Sequence, residues 1–476
     1  MPYLARGFTY YFLPGLCYFY IIFLPFTPMK LRPYQEQAVQ GLRATFNQGK
    51  KSAILCIPTG GGKTVVFTTI AKSAIINGSR IMIVCDRKEL ISQAHDNLIR
   101  LGLNPTIIAP GYPQHVNNCY LASVDTLRRR ELPEVDVIII DEAHKQTFDK
   151  LITRYKESGA DPYIIGATAT PLRTGGQNSL HEFYDAITEP TTIEELLEAG
   201  FLVPCRTFAA KVDFTNVKTT GNDYNNGDLF KEFDKARLYD GLLDQFEKFA
   251  KDKKTLIFNV NVKHSLKTVE KLRAAGYSCE HVDGKTPALQ RRKILEDFSA
   301  GKFQVLSNCS VLTTGYDEPS IEAIIVNRAT KSLPLWLQMA GRGSRLYDNK
   351  PFFTLIDMGA NCYEHGLWDD SRKWELIKQR RSSSGVAPVK LCEKCEAMNH
   401  ASAKVCKECG EPFKIKKKPL LKSEFIEVKS SRGGKKVFNT AGKTKEELKK
   451  YADSMGYKPA WVYIQLQNQK KKLQKT

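Results

Sequence analysis

From residue 31 to about 185, short apolar runs alternate with longer stretches that mix apolar and polar residues at helical spacing. The runs are 52–57, 80–85, 137–140 and 162–166, each bounded by Gly, Pro or Asp. Continuous apolar runs of that length between turn residues predict strands buried on both faces. Strand and helix in alternation predict an open parallel α/β sheet with helices on both sides. The pattern restarts near residue 254. Runs at 254–259, 278–282, 304–307, 323–326 and 352–357 predict a second sheet of the same class. Residues 191–253 read as a bridge between the halves, with an Asn/Gly/Asp-rich surface loop at 219–228. Residues 380–390 read as a linker, followed by a small module at 391–415 and an amphipathic segment at 442–467.

One stretch breaks the pattern. Residues 8–28 (FTYYFLPGLCYFYIIFLPFTP) carry no charge and are crowded with aromatics. At about 20 residues the stretch is long enough to span a membrane. Pro14, Pro25 and Pro28 weaken it as a helix. Met29 stands directly before the first polar motif, so an extension upstream of a start at Met29 is the preferred expectation over an anchor. Membrane association is expected only if 1–28 belong to the native protein.

Composition then narrows the partners. The chain of 476 residues carries a formal net charge of +20. Residues 381–476 hold 23 Lys and Arg against 9 Asp and Glu, so the excess concentrates at the C-terminal end. A polyanionic partner suits that balance, as does a merely solvated tail around Lys470, Lys471 and Lys472. Of the 12 cysteines, eight are scattered singly, as expected for small buried hydrophobes in a reducing, cytoplasmic compartment. The other four form Cys392-x2-Cys395 and Cys406-x2-Cys409. Two such knuckles suit four thiolates around a structural Zn²⁺, which would also fold a segment too short for a core. His400 lies between them as a possible substitute ligand.

Two motifs carry phosphate chemistry. Residues 53–64 read AILCIPTGGGKT, an apolar strand, a glycine turn and a helix start. Gly60, Gly61 and Gly62 let backbone amides curl around phosphate oxygens, beside Thr59. Lys63 is expected to reach the β- and γ-phosphates of ATP, and the Thr64 hydroxyl to hold Mg²⁺. The strict phosphate-loop pattern would want glycine where Ile57 stands. Residues 137–144 read VIIIDEAH. Asp141 at the strand's end is expected to hold Mg²⁺, and Glu142 to orient and deprotonate the attacking water. His144 is expected to link the ATP site to the second domain.

The remaining motifs come in a fixed order and resemble those of superfamily 2 helicases in the DEAH-box form. Arg32-Pro33-Tyr34-Gln35 precedes the phosphate loop; Gln35 can read an adenine edge, and Arg32 or Tyr34 can stack on it. Arg87, after the 80–85 run, and Ser123 resemble the strand-end motifs that touch a nucleic-acid backbone, though ordinary helix caps explain them as well. Thr168-Ala169-Thr170-Pro171 resembles the motif that couples hydrolysis to strand movement. Thr313, Gly315 and Asp317 lie in TTGYD, which resembles motif V, expected to touch nucleotide and strand. Residues 338–345 (QMAGRGSR) match motif VI, with Gln338 at its head and Arg342 and Arg345 able to reach the γ-phosphate.

The resemblance covers about residues 31–375. It looks closest to the bacterial and phage RadD-like branch, through LRPYQ, TATPLR, VLTTGYDEP, QMAGRGSRL and the following cysteine pairs. It implies two tandem RecA-like domains at 29–195 and 196–380. A zinc ribbon at 388–415 and a basic helical module at 425–476 complete the expected order. It further implies an ATP-dependent DNA helicase or translocase in repair, recombination or replication, in a bacterial or phage-infected cell. Single-strand-binding or repair proteins are then possible partners, and RNA is the alternative track. A nucleoprotein remodeller, a non-catalytic binding module with a degenerate ATPase fold and the motor part of a restriction system whose nuclease is a separate chain are the competing readings. No PD-(D/E)xK-like or HNH-like nuclease segment is present. Lys443, Lys445, Lys449, Lys450, Tyr451, Tyr457, Lys458, Trp461 and Tyr463 could hold phosphates and stack bases. The preferred reading is that these aromatics fill a small core of their own.

Overall fold

The computed structural model describes residues 31–86, 88–173, 179–209, 217–376, 389–413 and 443–454, with 462, 465 and 466. Residues 1–28, Arg87, most of the 380–390 linker, the 414–442 stretch and the terminal lysines lie outside them. Among the described residues no helix is long and apolar enough to cross a membrane.

The first sheet has seven parallel strands: β1 (Ser52–Cys56), β2 (Ile81–Cys85), β3 (Thr106–Ile108), β4 (Cys119–Ser123), β5 (Val137–Asp141), β6 (Tyr163–Thr168) and β7 (Ala186–Thr188). Their order is β3-β4-β2-β5-β6-β1-β7. β1 and β2 are buried at every position, which is why they read as unbroken apolar runs. The order sets β5, β6 and β1 side by side, so the loops after the three strands share one edge of the sheet. Those loops carry the DEAH, TATP and GGGKT residues.

The second sheet has six parallel strands. They are β8 (Cys205–Ala209), then, past the short pair β9 (Thr219–Thr220) and β10 (Asp223–Tyr224), β11 (Thr255–Asn259), β12 (Cys279–Val282), β13 (Val305–Asn308), β14 (Ala323–Asn327) and β15 (Phe353–Asp357). The order is β12-β13-β11-β14-β15-β8. Two expectations change here. β8 lies in the stretch read as a bridge, yet it closes the second sheet beside β15. An edge strand needs only one apolar partner, so CRTFA carries too few hydrophobes to announce itself. The polar stretch at 219–228 is not an open loop either. It folds as the hairpin β9–β10 and the start of the helix Asn226–Phe233. Asp223 within it accepts hydrogen bonds from Thr330 Oγ1 at 2.7 Å and the Lys331 amide at 2.7 Å.

A small hairpin, β16 (Val389–Leu391) with β17 (Met398–His400), carries the cysteine pairs. Phe208 of β8 packs against its core. Arg206 of the same strand pairs with Glu408 at 2.6 Å, and Lys407 with Asp369 at 3.1 Å. Residues 414–476 form a separate unit. Its helix Lys445–Ser454 buries Leu448 and Ala452 with Val462. Among the aromatics expected to fill that core, Tyr457, Trp461 and Tyr463 lie outside the described residues, and so does the Tyr451 side chain.

Candidate functional site

Phosphate chemistry begins where β1 ends. Lys63 opens the helix Lys63–Ile76, and Gly62 stands before it with φ +77°. That left-handed backbone is costly for residues with a Cβ. A Cβ there would also lie 2.6 Å from Gln35 Nε2. The helix thus begins with free amides facing the turn, as an anion site requires. Lys63 Nζ lies 3.4 Å from the Ile57 carbonyl, folded back over its own loop.

Beside it, β5 delivers Asp141 and Glu142, both buried. The Glu142 amide donates to Asp141 Oδ1 at 3.0 Å, and Glu142 itself has φ +53°. A glutamate held in that region stores strain, a feature of sites where geometry outranks comfort. Burial, and next the Glu142 charge, push the Asp141 carboxyl up to about 7. Burial also raises Glu142, but the fields of Lys63, His144, Lys145 and Arg342 outweigh it and hold that carboxyl below its ordinary range. A cation bound at Asp141 would oppose the rise of its carboxyl, because a nearby positive charge favours the ionised carboxylate. His144 is pushed down to about 4, first by burial, so its ring is neutral near pH 7. Its Nδ1 lies 2.8 Å from Thr168 Oγ1, and the Thr170 amide donates to that hydroxyl at 3.1 Å. His144 therefore joins the DEAH turn to the TATP turn of its own domain.

The second sheet reaches the site through motif VI. Gln338 Nε2 donates to Glu142 Oε2 at 3.2 Å, a hydrogen bond between the two domains. A Cβ on Gly341 would come within 2.9 Å of Thr59 Cβ, and one on Gly60 within 3.2 Å of Ser344 Oγ. The motif VI turn thus lies directly over the phosphate loop. Both arginine head groups donate to motif V, while the Arg345 stem lies against the phosphate loop, 3.8 Å from a Cβ placed on Gly60. Arg342 donates to the carbonyls of Tyr316 at 2.7 Å and Thr313 at 2.6 Å. Arg345 donates to the Tyr316 carbonyl at 3.1 Å and pairs with Asp317 at 2.7 Å. Thr313 Oγ1 donates to the Ser310 carbonyl at 3.4 Å, and Gly315 takes φ +75°.

Gln35 turns to backbone. Its Oε1 accepts from the Arg32 amide at 3.0 Å and its Nε2 donates to the Gly61 carbonyl at 3.3 Å. Arg32 stacks on Phe201, with Cζ 4.5 Å from the ring centroid. Ser123 precedes the short helix Val124–Leu127 but makes no capping hydrogen bond with its side chain. Thr64 stands in the first turn of its helix, where its carbonyl accepts from Thr68 Oγ1.

Sequence reasoning missed three features. Phe201 supports Arg32 from a segment with no periodic signal. Trp368, Arg372 and Trp374 line a small cavity of about 30 Å³ with Thr59, Thr170 and Glu189. Arg173, quoted only inside TATPLR, pairs with Asp149 through both guanidinium nitrogens and donates to the His144 carbonyl at 3.0 Å. Only the last lay within a recognisable motif.

The four sulfurs of Cys392, Cys395, Cys406 and Cys409 all lie within 4.8 Å of one another. Cys392 and Cys409 are 3.7 Å apart, and Cys395 and Cys406 are 3.6 Å apart. Tetrahedral thiolates at about 2.3 Å from Zn²⁺ would stand about 3.8 Å apart, so the donor set fits; a disulfide would need about 2 Å. Burial pushes Cys395 up to about 12. Burial also raises Cys406, but the amides of Cys409 and Glu408 and the Asn399 side chain outweigh it and bring that thiol down to about 6. His400 is turned to Ser402 Oγ at 2.6 Å and stands outside the cluster.

Two family descriptions match the chain: type III restriction enzyme, res subunit, over residues 28–173, and helicase conserved C-terminal domain over 235–347. A 51.5 kDa protein of Lactococcus phage (isolate 7-9) is 30% identical over 371 residues, covering 76% of this chain and 78% of the phage protein. The candidate ATP-dependent helicase IRC3 of Saccharomyces cerevisiae is also 30% identical, over 69% of this chain, which spans about half (51%) of that relative. Among solved structures, a fragment of a candidate HsdR subunit of a type I restriction enzyme from Vibrio vulnificus YJ016 shares the fold. Its TM-score is 0.53 at 24% identity, over 69% of this chain and 64% of that one.

Proposed function

Since this chain belongs to the superfamily 2 helicases and is an ATP-hydrolysing enzyme of helicase type, we propose that it is a motor on DNA. In this reading it is of the DEAH-box form and the RadD-like branch, acting in DNA repair, recombination or replication. Its domains run over 29–195 and 196–380, a zinc ribbon over 388–415 and a basic module over 425–476. The net charge of +20 and the restriction-enzyme description of the first domain favour DNA as the track. The phage relative favours the cytoplasm of a bacterial or phage-infected cell.

One observation carries the mechanism: Gln338 of the second domain touches Glu142 of the first at 3.2 Å. A side chain of motif VI thus senses the group assigned to the attacking water. In the proposed cycle, the phosphate-loop amides and Lys63 bind the β- and γ-phosphates of ATP. Thr64 and Asp141 would hold Mg²⁺, which would neutralise charge on those phosphates. Arg32 and Gln35 receive the base. Glu142 takes a proton from water, and Arg342 and Arg345 leave their motif V carbonyls to meet the γ-phosphate. Thr168, Thr170 and His144 pass the change to the strand-binding surface that includes Arg87, Ser123 and Thr313. Closure with ATP and opening after hydrolysis then move one strand by differential binding of two conformations.

ATP turnover measured in parallel with single-stranded DNA, duplex, forked DNA and RNA, beside a strand-displacement assay, tests this reading. DNA should stimulate turnover, and Lys63→Ala should abolish it while basal DNA binding persists. Near-normal hydrolysis by Lys63→Ala refutes the ATP site. Stimulation by RNA alone makes the chain an RNA helicase, and turnover without displacement makes it a translocase or remodeller. Zinc analysis of the same preparation should return one ion per chain; none refutes the ribbon.

A further inference from the structure

Lys350 carries no motif, yet it is buried, with 6% of its surface exposed. It precedes β15, in the loop that follows motif VI. Its Nζ donates to the carbonyls of Pro319 at 2.6 Å, Ile321 at 3.0 Å and Gly343 at 3.1 Å. An ammonium has three protons and no acceptor, so the site uses its full donor capacity. The three carbonyls have a pattern. Pro319 and Ile321 close the motif V loop, whose Thr313 and Tyr316 carbonyls receive the arginines. Gly343 sits between Arg342 and Arg345 in the motif VI turn. Burying a cation is expensive unless it is paired or fully hydrogen-bonded, so an apolar residue would be the cheaper way to fill this space.

We propose that Lys350 is a positioning residue for ATP hydrolysis, its ammonium fixing the motif V loop against the turn that carries Arg342 and Arg345. The inference rests on the assignment of those arginines to the γ-phosphate. Burial, and next the Arg345 charge, lower Lys350 to about 8. Below that pH three protons serve three carbonyls. Above it the lone pair of a neutral amine faces a carbonyl oxygen, and one tie is lost. The charged groups around it are Arg342 and Arg345 on the turn and Asp317, Glu318 and Glu322 on the motif V side. Burial also lowers Arg345, whereas the Glu318 carboxyl, raised by burial, is held below its ordinary range by hydrogen bonds from Ser320 and Ser299. Lys254, 3.6 Å from Glu318, is also lowered, mainly by burial. Burial pushes the Tyr316 phenol up, away from this range.

DNA-stimulated turnover of the full chain tests this, comparing wild type, Lys350→Met, Lys350→Arg, Arg345→Ala and the Lys350→Met/Arg345→Ala double variant from pH about 7 to about 9.5. Lys350→Met should lower kcat by about 10- to 100-fold, as misplacement of a catalytic group does, with KM for ATP little changed. The double variant should be no slower than Arg345→Ala, because Lys350 acts through that group. Wild type should lose activity as pH rises through about 8, and Lys350→Arg, charged throughout, should not. Normal kcat in Lys350→Met, additive losses in the double variant, or the same alkaline limb in Lys350→Arg each overturns the inference. If Lys350→Met does not fold, as judged by circular dichroism, the limbs of wild type and Lys350→Arg decide. Lys63→Ala runs alongside. Its loss of turnover beside a normal Lys350→Met overturns this inference alone, whereas its retained turnover overturns the ATP site and this inference with it.

Discussion

The two halves share a sheet architecture but hold their charged groups in opposite ways. In the first, Asp141 and Glu142 leave a strand directly and are set by backbone, down to the left-handed φ of Glu142. In the second, Arg342 and Arg345 sit on a short turn and are set by side-chain bonds to motif V carbonyls and to Asp317. The first arrangement costs little to keep as the site fills. In the second, the donors already engaged by carbonyls and by Asp317 would have to be released before they could serve a phosphate. The difference teaches where a switch would lie under the proposed roles: nucleotide would compete for the arginines of the second half, while the first half stands ready.

Arg345→Ala strikes the exchangeable side. Removal of an arginine that stabilises transferred phosphate should cost about 10³- to 10⁵-fold in turnover, with ATP binding kept, as read by steady-state kinetics beside nucleotide titration. A loss of binding with kcat unchanged would instead place Arg345 in ground-state recognition. Next is Arg173→Ala, on the ready side. Its pairing with Asp149 is buried and two-pronged, so breaking it should destabilise the first half by about 3–5 kcal/mol, read by denaturant melts. A melt shifted no more than a surface variant's would mean that the DEAH turn is held without it. Gln338→Ala removes the hydrogen bond from the second half to Glu142. Net hydrogen bonds are worth about 0.5–1.5 kcal/mol, so turnover should fall only about 2- to 10-fold. A far larger drop would make that contact a catalytic one and erase the contrast between the halves.

Much of the first half was legible because its chemistry is local. An apolar run, a glycine turn and Lys63-Thr64 are contiguous, and one strand, turn and helix place them. VIIIDEAH is legible for the same reason. The cysteine pairs were readable from spacing, and their sulfurs do converge. The edge strand β8 was not, since its pairing with β15 joins residues far apart in the chain. Phe201, the tryptophans of 367–376 and Lys350 have no local pattern either. Each matters only through what the fold sets against it.

By itself, then, the amino-acid sequence determined two parallel sheets, a phosphate loop, a carboxylate pair and a tetrad of thiols. Each of these depends on backbone conformation and residue type within a few positions. Tertiary structure alone decided that Gln338 reaches Glu142 and that the arginines rest on motif V. It alone set Lys350 beneath them. Those outcomes turn on distances between segments up to 196 residues apart, and the packing of two sheets sets them, which no short stretch of chain encodes.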